Sequence, residues 1–154
     1  MNYRAMNRVW ESIIAFIVFF GIDRLSKIFI LRTSGNLSIT SFLSFDVTVN
    51  RGIAWGIFHT ESTFGFLVVT AAVVAIICAM LWYARKQMQR GGLATEEMLI
   101  LAGAISNLFD RIIYSGVIDF IHFHFGNWSF PIFNLADVFI VIGVFWIMFA
   151  QYDS

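Results

Sequence analysis

Asp119 and Asp137 stand without a lysine or arginine within one helical turn, in a stretch that otherwise reads as membrane. Two carboxylates a few ångströms apart cannot both ionise, so such a pair shares a proton and titrates as a unit. The ionised member draws a proton from water. The protonated member hydrogen-bonds to a carbonyl and later protonates the leaving amine. The chemistry that such a pair would suit is peptide-bond hydrolysis, with no metal, no cofactor and no covalent intermediate. Asn107, Asp110, Arg111 and Asn134 lie in the same stretch. Asn107 to Asp110 and Asn134 to Asp137 are i,i+3, and Asn107 to Arg111 is i,i+4, so each set shares one helix face. An ionised Asp at the centre of a spanning helix costs about 2.5–3.5 kcal/mol. Three acids beside one arginine, at or near the ends of apolar helices, therefore read as a functional site.

The elements that must position these groups are membrane spans. The chain has 154 residues, 59% hydrophobic, 18% aromatic and 13% charged, with a mean hydropathy of +0.79. A soluble domain is about 45–50% apolar and about 25% charged, so this is an integral membrane protein. A net charge of zero excludes the clustered Lys and Arg of a nucleic-acid footprint. Cys78, the only cysteine, excludes a disulfide framework within the chain and reads as core filler. No small-residue cleavage site follows the first apolar run, which predicts a retained helix rather than a signal peptide.

Four spans are expected: Ser12–Leu31, Phe64–Ala84, Met98–Tyr114 and Ile132–Ala150. Arg4 and Arg8 precede the first, and Arg85, Lys86 and Arg90 lie between the second and third. The loop after span three has no Lys or Arg, and that after span one only Arg32 and Arg51. Positive residues mark the cytoplasmic side, so both termini face the cytoplasm. Span three then runs outward and span four inward, which brings Asn107, Asp110, Arg111, Asn134 and Asp137 to the outer surface, with Asp119 just past span three. Residues 37–49 and Val117–Phe125 alternate in a strand-like way. The expected fold is all-α and integral to the membrane, with four transmembrane helices. A small extracytoplasmic β-sheet comes from the first and third loops, and the whole chain, 1–154, forms one domain.

Structural roles compete with chemical ones. Asp23 and Lys27, spaced i,i+4, read first as a neutralising pair that lets span one tolerate charge. Asp110 reads as an ion pair with its neighbour Arg111. Asn50-Arg51-Gly52-Ile53-Ala54-Trp55-Gly56 has small-xxx-small spacing at Gly52 and Gly56, which suits a close-packing turn with Asn50 an ordinary turn residue. His59, His122 and His124 are expected to be external, the last two on one face of a strand. A zinc site joining them to Asp119 lacks a tight ligand motif such as HExxH. For Asp119 and Asp137 the structural reading is weakest.

The blocks Asp23…Lys27, Asn50-Arg51-Gly52-Ile53-Ala54-Trp55, Asn107-Leu108-Phe109-Asp110-Arg111, Val117-Ile118-Asp119-Phe120 and Phe133-Asn134-Leu135-Ala136-Asp137, in that order, resemble lipoprotein signal peptidase, the bacterial signal peptidase II family. The resemblance covers nearly the whole chain. It implies a membrane aspartyl endopeptidase that removes signal peptides from prolipoproteins, cutting before a diacylglyceryl-modified cysteine. It makes Asp119 and Asp137 the catalytic dyad. Asn50, Gly52, Asn107, Asp110, Arg111, Asn134 and Ala136 line or support the substrate site, and Asp23 and Lys27 form the first-helix motif. Trp55 stands where the family commonly has Phe, and Ile53 where it often has Ala; both are apolar swaps that bear on pocket shape. The implied partners are lipidated prolipoproteins and membrane lipids. The implied setting is a monomer in the inner membrane with its site facing the periplasm. A proton-coupled transporter would place its acids nearer the midplane, a tetraspan assembly factor needs no unpaired Asp pair, and neither GxGD nor GxSG occurs.

Overall fold

Proline is absent from the long apolar runs; the only one, Pro131, falls between elements. Those runs therefore coil without a break into α1 (Tyr3–Arg32), α2 (Thr63–Gln89), α3 (Thr95–Tyr114) and α4 (Leu135–Ala150). At 1.5 Å per residue, α1 is about 45 Å long and α4 about 24 Å. The computed structural model describes residues 3–33, 36–52, 62–89 and 95–150. The Ile53–Gly56 part of the glycine-containing block, and His59, lie outside them.

Helix α3 is central and packs against α1, α2 and α4. Its seam with α4 is a backbone contact. A Cβ on Gly103 would lie 2.5 Å from the Ala136 carbonyl oxygen, and one on Gly143 would lie 2.7 Å from that of Glu96. Glycine at both points lets the helices touch.

Burial runs opposite to that of a soluble bundle. Asp23, Lys27, Asp110 and Asn134 are all 0% exposed, whereas Ile112 is 74% exposed and Phe29 62%. Isolated charges are not buried unless paired and hydrogen-bonded, and large apolar patches do not face water without cause. An apolar surround resolves both. Among the described residues, Thr63–Gln87 of α2 is the one helix long and apolar enough, by length and composition alone, to cross a membrane. Helix α1 carries Asp23, Arg24 and Lys27, and α3 carries Glu96, Glu97, Asp110 and Arg111; the apolar run of α4, Leu135–Phe149, is shorter.

Four antiparallel strands, β1 (Asn36–Ser38), β2 (Leu43–Asn50), β3 (Val117–Phe125) and β4 (Trp128–Ser129), form a sheet in chain order. The expected strand over 37–49 is divided. Thr40 Oγ1 accepts hydrogen bonds from the N–H groups of Phe42 (3.2 Å) and Leu43 (3.1 Å), a hydroxyl-stabilised turn that folds β1 back on β2. A register shift between Phe45 and Thr48 also breaks the alternation, leaving Ser44 buried and Val49 exposed. Helix α4 begins three residues later than the expected span, because Phe133 bridges to Ile121 on β3 and Asn134 caps the helix. Ser115, in the left-handed region at φ 55°, follows the end of α3. The chain enters β3 through Gly116, where a Cβ would come within 2.5 Å of Val49 and 3.2 Å of the Asn50 carbonyl oxygen.

Candidate active site

Asp137 occupies the third position of α4, with Asn134 as its cap. The Asp137 N–H donates to Asn134 Oδ1 at 2.9 Å, and the Asn134 N–H donates to Asp137 Oδ2 at 3.3 Å. This reciprocal pair is a capping box. Asp137 is therefore held by the same contacts that start its helix, and its other oxygen accepts from Asn107 Nδ2 at 2.9 Å.

Asp119 comes from the sheet. It pairs in register with Thr48 and accepts hydrogen bonds from Asn134 Nδ2 (2.6 Å) and Asn50 Nδ2 (3.0 Å). One amide donor of Asn134 thus serves Asp119 while its oxygen and backbone serve Asp137. Asn134 Nδ2 also lies 3.2 Å from Asn107 Oδ1, closing the ring. Burial first, and the neighbouring Asp137 second, push the Asp119 carboxyl up to about 7, against the opposing pull of Asn50, Asn134 and Lys27.

The two aspartates, Asn50, Asn107 and Arg111 border one cavity of about 190 Å³ between sheet and helices. Its other wall is apolar, with Val73 and Ile76 from α2, Ile100 and Ala104 from α3 and Ile140 from α4. None of these five was singled out in the sequence; periodicity marks them only as one more apolar face. Asn50 is both a turn residue and a site residue, since its Oδ1 accepts the Gly52 N–H at 2.8 Å while its Nδ2 reaches Asp119. Arg111 donates to the carbonyls of Gly52 and Arg51 and lies against the Phe66 ring, 5.7 Å from its centroid. Gly52 enters the site through that carbonyl.

Asp110 is not paired with Arg111. Adjacent helix residues do not face each other, and Asp110 turns to α1, where Arg24 and Lys27 (2.8 Å) bind its two oxygens. Its Oδ2 also accepts the Ile118 N–H at 3.2 Å, which ties α3 to β3. Asp23 and Lys27 do pair, at 2.8 Å, but neither is a simple neutraliser. Lys27 Nζ donates to Asn107 Oδ1 at 2.9 Å. Asp23 accepts from Ser106 Oγ at 2.6 Å and from the Ala136 N–H at 2.9 Å, in the first turn of α4. Ala136 is a fully buried backbone donor. Arg24 and Ser106 complete this network; the i,i+4 step from Ser106 to Asp110 was the available signal for the latter.

His122 and Asp119 are an odd number of residues apart and project from opposite faces of β3. His122 Nδ1 lies 2.6 Å from Asp46 Oδ2 and its Nε2 lies 2.6 Å from Ser129 Oγ. The Ser44 hydroxyl first, and His122 after it, hold the Asp46 carboxyl below its usual value against the effect of burial.

The signal peptidase (SPase) II family model matches residues 14–152. A lipoprotein signal peptidase of Burkholderia ambifaria is 39% identical over 140 residues, covering 87% of this chain and 81% of its own. Another, from Pelagibacter ubique, is 34% identical across 98% of this chain and 93% of its own. Two solved structures of bacterial membrane enzymes obtained by the in meso method, each 28% identical, superpose with TM-scores of 0.72 and 0.68. They cover 94% and 93% of this chain, and 89% and 93% of theirs.

Proposed function

This chain belongs to the signal peptidase II family, and we propose that Asp119 and Asp137 are its catalytic dyad. The family removes signal peptides from prolipoproteins at the bacterial inner membrane, and the protein is an enzyme of that kind. The reaction is aspartyl hydrolysis of the bond before a diacylglyceryl-modified cysteine. The observation that carries this reading is Asn134, whose side-chain amide donates to the Asp119 carboxylate and whose backbone N–H donates to that of Asp137, both carboxylates bordering one cavity.

The pair shares one proton, and we assign it to Asp119, whose carboxyl is pushed up to about 7 by burial and by the neighbouring Asp137. Asp137, in the first turn of α4, then acts as the ionised partner. Asp137 takes a proton from water as the water oxygen attacks the scissile carbonyl carbon. Asp119 hydrogen-bonds to the carbonyl oxygen as the carbonyl carbon becomes tetrahedral. Collapse breaks the C–N bond as Asp119 gives its proton to the leaving amine, and the proton that Asp137 took from water leaves the dyad singly protonated again. Asn50, Asn107 and Arg111 fix the peptide, the apolar wall receives its side chains, and Gly52 and Ala136 support the site through their backbones. Asp23, Lys27 and Asp110 hold the helices that carry it.

The chain acts as one domain and as a monomer, with four spans, both termini cytoplasmic and the sheet and dyad at the periplasmic surface. A cysteine replacing Asn127 in a Cys78→Ala background should react with an impermeant thiol reagent in intact spheroplasts, and one replacing Gln89 should not. Equal labelling of both would overturn this orientation.

Acyl chains anchor a substrate at about 0.8 kcal/mol per buried CH₂, and such remote binding energy can orient the reacting bond. A prolipoprotein without its diacylglycerol should therefore be cleaved much more slowly in the same detergent, with kcat reduced as well as affinity. Equal kcat/KM for the two substrates would show that the site does not read the lipid.

A further inference from the structure

A second opening lies between α1, α2 and α3. Leu101 and Ile105, each one residue on from Ile100 and Ala104 of the dyad cavity, face this groove instead. Its floor is Leu101 and Ala84, both buried, and Phe16 and Met98 extend it. The groove encloses about 550 Å³, a size that accommodates a small amphiphile. Trp82 and Arg85 form one edge. Lys86 places its ammonium 3.7 Å from the centroid of the Trp82 ring, a cation–π contact that holds it there.

The groove thus joins an apolar slot to Arg85 at its edge, with Lys86 beside it against the Trp82 ring in the last turns of α2. Neither Glu96 nor Glu97, the acids that open α3, lines the groove, and Glu97 is buried. An apolar chain with a negative head complements this surface. We propose that the groove binds an anionic phospholipid of the cytoplasmic leaflet. The acyl chain lies along Phe16, Leu101 and Ile105, and the phosphate meets Arg85 and Lys86. Basic pockets between spanning helices on the cytoplasmic side take acidic lipid head groups, and a tryptophan such as Trp82 suits headgroup depth. A zwitterionic lipid fills the slot equally well but gains far less from the two cations. The choice of leaflet rests on the four-span orientation above; the binding itself does not.

Native mass spectrometry of the full chain in neutral detergent, titrated with phosphatidylglycerol, phosphatidylcholine or inorganic phosphate, tests the site. Phosphatidylglycerol should bind most tightly, and phosphate should neither bind measurably nor compete with it. Arg85→Gln and Lys86→Gln should each weaken phosphatidylglycerol about fivefold and leave phosphatidylcholine unchanged. Both variants should keep wild-type peptidase rates in detergent, which reports an intact fold. Equal affinity for the two lipids, full phosphatidylglycerol affinity in the double variant, or displacement of the lipid by phosphate would each overturn the proposal. Orientation has no influence in detergent, so an error there would change the leaflet and leave this outcome intact.

Discussion

Asp119→Asn and Asp137→Asn proteins should each cleave lipidated prolipoprotein at least about 10²–10⁴-fold more slowly than wild type, the contribution of general acid–base groups. Asparagine fits either position in size and still offers one oxygen to the surrounding amides, but it cannot exchange a proton. The fold should survive, because Asp23, Lys27 and Asp110 hold the bundle without either residue. Wild-type kcat/KM should fall as pH rises through about 7, because Asp119 then loses the proton it must present to the carbonyl. Near-wild-type cleavage by either variant, free of wild-type enzyme and of deamidation, would end the aspartyl assignment. Thermal unfolding in the same detergent separates loss of chemistry from loss of structure.

Lys27→Met should be the costliest single change to the fold, about 3–5 kcal/mol, the usual penalty for leaving a buried charge without its partner. Lys27 is fully buried, with Asp23 and Asp110 each 2.8 Å away and Asn107 Oδ1 at 2.9 Å. Arg24 still serves Asp110 in the variant, but Asp23 keeps only Ser106 and the Ala136 N–H. Asn107 also loses its anchor, so activity should fall along with stability. The double variant Asp23→Asn/Lys27→Met should be less destabilised than the sum of the single changes, because the two residues interact directly. A loss below about 1 kcal/mol for Lys27→Met, the range of an exposed ion pair, would mean the network does not hold the bundle.

Local patterns in the sequence carried the fold further than they carried the partners. Four proline-free apolar runs predict four helices, and the alternation over Val117–Phe125 predicts β3 at its observed limits. Strand β4 escaped because two residues show no period, and the late start of α4 because it depends on the bridge between Phe133 and Ile121. Asn134 and Asp137 were legible as i,i+3 neighbours; their capping box needs the helix start to be known. Asp110 misled because Arg111 is adjacent in sequence, while its partners Arg24 and Lys27 come from another helix. The bonds from Asn134 and Asn50 to Asp119, and from Ala136 to Asp23, join residues 15, 69 and 113 positions apart. No spacing rule reaches that far.

The inverted burial changes which substitutions this chain can absorb as it diverges. In a water-soluble bundle, drift is tolerated at polar surface positions and resisted by the apolar interior. Here Ile112, Phe29 and Phe145 face outward, and one apolar side chain replaces another there at little cost. Ser106, a small residue of unremarkable type, is sealed inside with its hydroxyl committed to Asp23. Its loss leaves a buried carboxylate oxygen short of a donor, a penalty of roughly 1–3 kcal/mol or more. Divergence should therefore accumulate among the bulky apolar residues and spare the small polar ones.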